Sequence, residues 1–180
     1  MVKTNINLFA EGEVVYTDGG VLAEFAWVLV VLPFIAALII TFVGKSLPLK
    51  GAEVALGTIG IIFIYSLALM YLHVTKGVAN EFFINVGNIG QFDIEFGWVV
   101  DGLSIMMYFV VGLVALLVFI YATNYMEGEI RYTFFFTSLT LFAGSMLVLV
   151  SSPTLIQILI GWELVGVCSY LLCLLYTSDA

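Results

Sequence analysis

One stretch of this sequence combines residue types and spacing that could do chemistry: Gly161-Trp162-Glu163-Leu164-Val165-Gly166-Val167-Cys168-Ser169-Tyr170-Leu171-Leu172. It lies inside an apolar run that opens at Thr154, just after Pro153, a residue that suits a helix start. Glu163 is ten residues past that proline, roughly 15 Å along a helix axis. A hydrocarbon layer about 30 Å thick would hold its carboxyl near the midplane. A charge there costs on the order of 3 kcal/mol by insertion scales, and such residues commonly mark ion or proton paths. Hydrocarbon disfavours a carboxylate, whereas a nearby cation favours it. A carboxyl balanced between the two can load and release a proton when the partner charge moves. No span of this chain contains a Lys to act as that cation. Two readings of Glu163 therefore stand: a group on an ion path, or a protonated side chain hydrogen-bonded to a neighbouring helix. The three- and four-residue spacing puts it on one face with Ile156, Leu159, Ile160, Gly166 and Tyr170. Gly166 would let another helix approach, so that face is expected to look into a bundle.

The chain that must position this stretch is built for a bilayer. Of its 180 residues 63% are hydrophobic and 10% charged, where a soluble domain carries about 25% charged residues. The mean hydropathy is +1.18. The expected class is an all-α polytopic membrane protein of about five transmembrane helices. The net charge of −8 and only five Lys and Arg argue against nucleic acid as a partner. Cys168 and Cys173 lack CxxC spacing and a nearby His cluster, so they read as ordinary apolar-helix cysteines and no metal site follows. No phosphate cradle is present either: Gly87-Asn88-Ile89-Gly90 lacks a following helix and Lys and reads as a turn.

Taken in order, residues 1–22 form a polar N-terminal tail and 23–180 a membrane domain. The first span covers 25–43 with Pro33 inside it, tolerated because neighbouring helices re-satisfy the freed carbonyl. The second covers 53–74, where Gly57 and Gly60 are expected to serve helix packing. His73, near its end, reads as an interfacial histidine. Residues 91–98 alternate polar and apolar, the period of a half-buried strand. Pairing with 82–86 across 87–90 would make a short external β-hairpin between the second and third spans, lying on the membrane surface or against a partner. Asp101 is placed to cap the third span, 103–122. The fourth covers 132–150, and the fifth starts at Thr154. Of the thirteen acids, Glu163 is the one expected within a span; Glu24 and Glu53 sit at helix starts. Lys45, Lys50 and Arg131 fall in the first and third loops, Lys3 and Lys76 on the other side. That three-to-two excess favours an external N-terminus and an external hairpin.

The Gly161–Leu172 stretch closely resembles the signature of the large antiporter-like subunit L of proton-translocating NADH:quinone oxidoreductase, respiratory complex I. Val99-Val100-Asp101-Gly102-Leu103-Ser104, then 121–126 and the Phe-rich fourth helix, are similar in the same order. The resemblance covers roughly residues 25–172. The Asp-Gly-Leu-Ser element is shared with cation/proton antiporter subunits, and the Val-Gly-Val-Cys-Ser-Tyr continuation favours complex I. The resemblance implies that Glu163 matches the family's fifth-helix glutamate, a proton relay working with a lysine on a later helix. Asp101 would cap a helix at the external side, with Gly166 and Tyr170 as structural neighbours of Glu163. It implies a multi-pass protein of the bacterial cell (inner) membrane whose partners are other membrane subunits of complex I, lipid and protons. It also implies no cofactor in this chain, with NADH, flavin, iron–sulfur clusters and quinone on partner subunits. The family chain is much longer, so these residues read as the N-terminal fragment of such a subunit, with 173–180 as a foreign end and no pumping by the fragment alone. The alternatives are a subunit of a multisubunit cation/proton antiporter, or a membrane scaffold that transports nothing.

Overall fold

A computed structural model describes residues 20–77, 79–89, 92–126, 128–129 and 131–177. A one-turn helix, α1 (Gly20–Glu24), leads into α2 (Trp27–Val43), a 3-10 turn (Gly44–Ser46) and α3 (Ala52–Lys76). The strands β1 (Asn80–Ile89) and β2 (Phe92–Val100) follow, then α4 (Gly102–Tyr125), α5 (Tyr132–Ser151) and α6 (Leu155–Thr177). Four helices, α3 to α6, are long and apolar enough to cross a membrane. The first, α2, has 17 residues, about 26 Å at 1.5 Å per residue, a little under the hydrocarbon thickness. It begins two residues later than the sequence suggests, because short-range bonds from Ala26 N to Ala23 O and Val28 N to Phe25 O turn the chain there. Tyr65 donates to the Leu22 carbonyl and ties α1 to α3. The expected polar tail lies, up to residue 19, outside the described residues.

The packing seams follow helical periodicity. Along α3 the buried positions are Ala52, Ala55, Thr58, Ile59, Ile62, Ser66 and Leu69, and along α4 they are Ser104, Ile105, Tyr108, Gly112, Phe119 and Ala122. Apart from the adjacent pairs Thr58/Ile59 and Ser104/Ile105, both sets advance in threes and fours or sums of these, the spacing of a packing seam along one helix face. These two helices pack on each other, and α5 is the hub, touching α2, α4 and α6. Buried hydroxyls on α5 bond back to their own helix, Thr140 to Phe136 O at 2.7 Å and Ser145 to Leu141 O at 2.8 Å. They bring polar atoms into the bundle without orphaning them. Pro33 is accommodated within α2, where α5 presents Gly144 to it: a Cβ on Gly144 would lie 3.0 Å from Pro33 Cβ.

Gly57 and Gly60 do not perform the packing expected of them. A Cβ at either position would meet nothing within 4 Å. Close helix approach occurs instead at Gly112, against Phe63, and at Gly144 and Gly161. The hairpin is longer than expected. Its antiparallel register runs from Asn80↔Val100 to Ile89↔Phe92, with an irregularity between Asn85 and Gly87. Gly87, Asn88 and Ile89, expected in the turn, are therefore paired strand residues. Phe82 and Trp98, directly opposite in the register, stack with ring centroids 4.4 Å apart. The strand β2 rests on α4 and α5.

Candidate functional site

Thr154 starts α6: its carbonyl accepts from Ile158 N at 3.0 Å and its hydroxyl from Gln157 N at 3.4 Å. Glu163 is the ninth residue of this 23-residue helix, about 12 Å from its first residue and about 5 Å from its middle residue, Gly166. The helix has two faces. Gln157, Gly161, Cys168 and Leu175 are buried, and α5 is its main helical neighbour. Gly161 makes a close approach, since a Cβ there would stand 3.0 Å from both Cα and N of Leu149. Cys168 faces Ser145 of α5, with Sγ and Oγ 3.7 Å apart. It is a free thiol in a packing position, while Cys173 is free and exposed.

Glu163 belongs to the other face. It is exposed together with Ile156, Leu159, Ile160, Gly166 and Tyr170, the set that helical spacing groups. Tyr170 is 64% exposed and Trp162 67%, and a Cβ on Gly166 would meet nothing within 4 Å. Among the described residues no element covers this face, and none makes the bundle contact expected at Gly166. Every Lys and Arg described lies outside the central part of the spans, with Lys76 in the last turn of α3. Chemically, Glu163 is a carboxyl well inside α6 on an open helix face. It can exchange a proton only with water or with a group that another segment brings to that face.

Asp101 is where the sequence places it. Its backbone is extended, and its Oδ1 accepts from Ser104 N at 2.7 Å and Ser104 Oγ at 2.6 Å. This satisfies two donors at the start of α4 and sets a negative charge at the positive end of the helix. Nearby, the Glu81 side chain is exposed, and partial loss of hydration at the hairpin end, then the charge of Asp101, push its carboxyl above its ordinary range. His73 lies in the last turn of α3 with its ring against Gly102, so it is a junction residue between the hairpin end of α3 and α4. The structure brings Glu163, Gly166 and Tyr170 to one face and leaves Asp101 at a different location, the junction of hairpin and bundle.

Sequence reasoning missed Gln157. It is buried, its Oε1 accepts from Gly97 N at 3.0 Å, and its Nε2 donates to Gly97 O at 2.8 Å. A lone amide one turn into an otherwise apolar helix was the available signal. Gly97 had no distinguishing mark in the sequence, yet a Cβ there would sit 1.9 Å from Phe82 O.

Residues 87–136 match the family model described as NADH-ubiquinone oxidoreductase (complex I), chain 5 N-terminus. That segment runs from the hairpin through the Asp101 cap and α4 into the first turn of α5. The chain is 38% identical over 159 residues to NAD(P)H-quinone oxidoreductase chain 5 of Picosynechococcus sp., covering 84% of this chain and 24% of the relative. To chain 5 of Synechocystis sp. it is 39% identical over 158 residues, covering 84% and 23%. To the chloroplastic subunit 5 of Chlorokybus atmophyticus it is 36% identical over 156 residues, covering 83% and 24%. The chain thus spans about a quarter of the length of these curated relatives. It is a multi-pass integral membrane protein homologous to the N-terminal region of the complex I chain 5 family.

Proposed function

We propose that this chain acts as the N-terminal part of a chain-5-type membrane subunit of an NAD(P)H–quinone oxidoreductase, contributing to proton translocation coupled to electron transfer. Glu163 is its protonatable relay. The observation that carries the reading is the placement of this carboxyl well inside α6 on a face left open by the other described residues. A later segment of the full subunit packs there and supplies the cation that this chain lacks. When the cation is close, Glu163 is held as carboxylate; when it withdraws, the apolar surroundings favour the acid and the carboxyl takes up a proton. Asp101 fixes the start of α4 and does not carry the proton. NADH, flavin, iron–sulfur clusters and quinone reside on partner subunits, and this chain contributes protein groups alone.

The test is Glu163→Gln in the full-length subunit of the assembled, vesicle-embedded complex, measuring protons moved per NADH oxidised in sodium-free medium. The expected result is a lower ratio with electron transfer retained. An unchanged ratio would remove Glu163 from the path. Transport that needs sodium and no NADH would transfer the chain to the antiporter reading.

A further inference from the structure

We propose that Gln157 is a positioning residue that hooks α6 to the free edge of β2 and thereby fixes the direction in which Glu163 faces. Gly97 stands opposite Phe83 in the hairpin register, yet both of its backbone groups bond to Gln157. They therefore point away from β1, as in a pair that exchanges no ladder bonds. The primary amide of Gln157 supplies one donor and one acceptor, the pattern of a neighbouring strand, and closes an edge that would otherwise be open.

The hook adds a second point of attachment to the contact of α6 with α5, where Gly161 lets the two backbones come close and Cys168 Sγ stands 3.7 Å from Ser145 Oγ. A helix held on one side alone can still roll about that contact. Side chains lie about 5–6 Å from a helix axis, so a roll of roughly 20° moves the Glu163 carboxyl by about 2 Å. Displacements of about 1 Å at reacting groups can cost on the order of 100-fold in rate. Two hydrogen bonds to a single residue of a different element oppose that roll, and they lie about 9 Å along the axis from Glu163. The same hook gives the hairpin a direct mechanical connection to the helix that carries the carboxyl.

The consequence for Glu163 rests on its proposed relay role; the orientation of α6 does not, and the two are measured separately. Orientation is read in the 180-residue chain in phospholipid vesicles, with Ser145→Cys and Cys173→Ser, by the rate of oxidant-driven disulfide formation between residues 145 and 168. These side chains face each other at 3.7 Å. In that background Gln157→Leu is expected to slow cross-linking roughly tenfold, as loss of two buried hydrogen bonds of ordinary net strength allows. The near-isosteric Gln157→Glu separates orientation from folding. Its protonated acid again offers a donor and an acceptor, so its rate, divided by that of the Gln157 parent at the same pH, returns to about one in acid and falls as the carboxyl ionises. Equal rates for Gln157→Leu and the parent, or a flat ratio for Gln157→Glu, would overturn the proposal. Translocation in the assembled complex then tests the consequence. If Glu163→Gln pumps normally, the relay role falls while the cross-linking result stands. If Glu163→Gln fails to pump and Gln157→Leu pumps fully despite slowed cross-linking, the positioning claim falls.

Discussion

The glycines of the Gly161–Gly166 pair invite a direct comparison. Both look like helix-contact residues, but the structure gives them opposite surroundings. Gly161→Ala would put a methyl carbon 3.0 Å from Leu149 Cα and N and 3.2 Å from its Cβ. Comfortable carbon contacts lie at about 3.5–4.0 Å, so the overlap is roughly half an ångström or more. The obstructing atoms are backbone, which cannot rotate aside; α5 and α6 must part. Overpacking of this kind typically costs about 1–3 kcal/mol. At Gly166 the methyl enters open space, and the change from glycine should be neutral or gain up to ~1 kcal/mol from helix propensity. The propensity gain applies to both substitutions and cancels, so the two variants of this chain should differ by about 1–3 kcal/mol, Gly161→Ala being the less stable. Reversible unfolding in mixed detergent micelles, followed by far-ultraviolet circular dichroism, would read the difference. Equal midpoints, or a larger loss at Gly166, would refute the packing assigned to α6.

The Asp101 cap should contribute measurably. Asp101→Ala is expected to lower stability in the same assay by about 1–2 kcal/mol, and Asp101→Asn, which keeps an acceptor oxygen, by less. Glu81 gives a pH dependence of defined sign. Its carboxyl holds its proton more tightly folded than unfolded, first through partial loss of hydration and second through Asp101. The folded chain therefore gains stability as pH falls into the window above the ordinary carboxylate range and loses it as pH rises through that window. Thermal unfolding between neutral and mildly acidic pH should show this slope, and Glu81→Gln should flatten it.

Much of the bundle was legible because hydrocarbon imposes a simple rule: a helix must be long and apolar, with its interruptions at Pro, Gly and charges. The ends of α2, α3 and α5 fall within two residues of the segments read from sequence, α6 starts one residue after Thr154, α4 runs on to Tyr125, three residues past its expected end, and Asp101 caps α4 as expected. What sequence could not show was which glycines meet a neighbour. That depends on rotation of one helix about another, and spacing alone treats Gly57, Gly60, Gly112 and Gly161 alike. The hairpin was extended by pairing of Gly87, Asn88 and Ile89, residues whose turn propensity yielded to the ladder. For the candidate site, spacing grouped Glu163, Gly166 and Tyr170 correctly. It could not reveal that no other described element covers their face, or that Gln157 on the opposite face bonds to Gly97 of β2.

The most direct test of the central claim is redox-induced infrared difference spectroscopy on the assembled complex carrying full-length subunits with Glu163 or Glu163→Gln. If Glu163 loads and releases a proton during turnover, adding NADH should produce a change in the carboxylic-acid carbonyl region that is absent from the Glu163→Gln complex. If no such Glu163-dependent change appears while NADH is oxidised and protons are moved, the carboxyl stays in one protonation state and the relay assignment is contradicted.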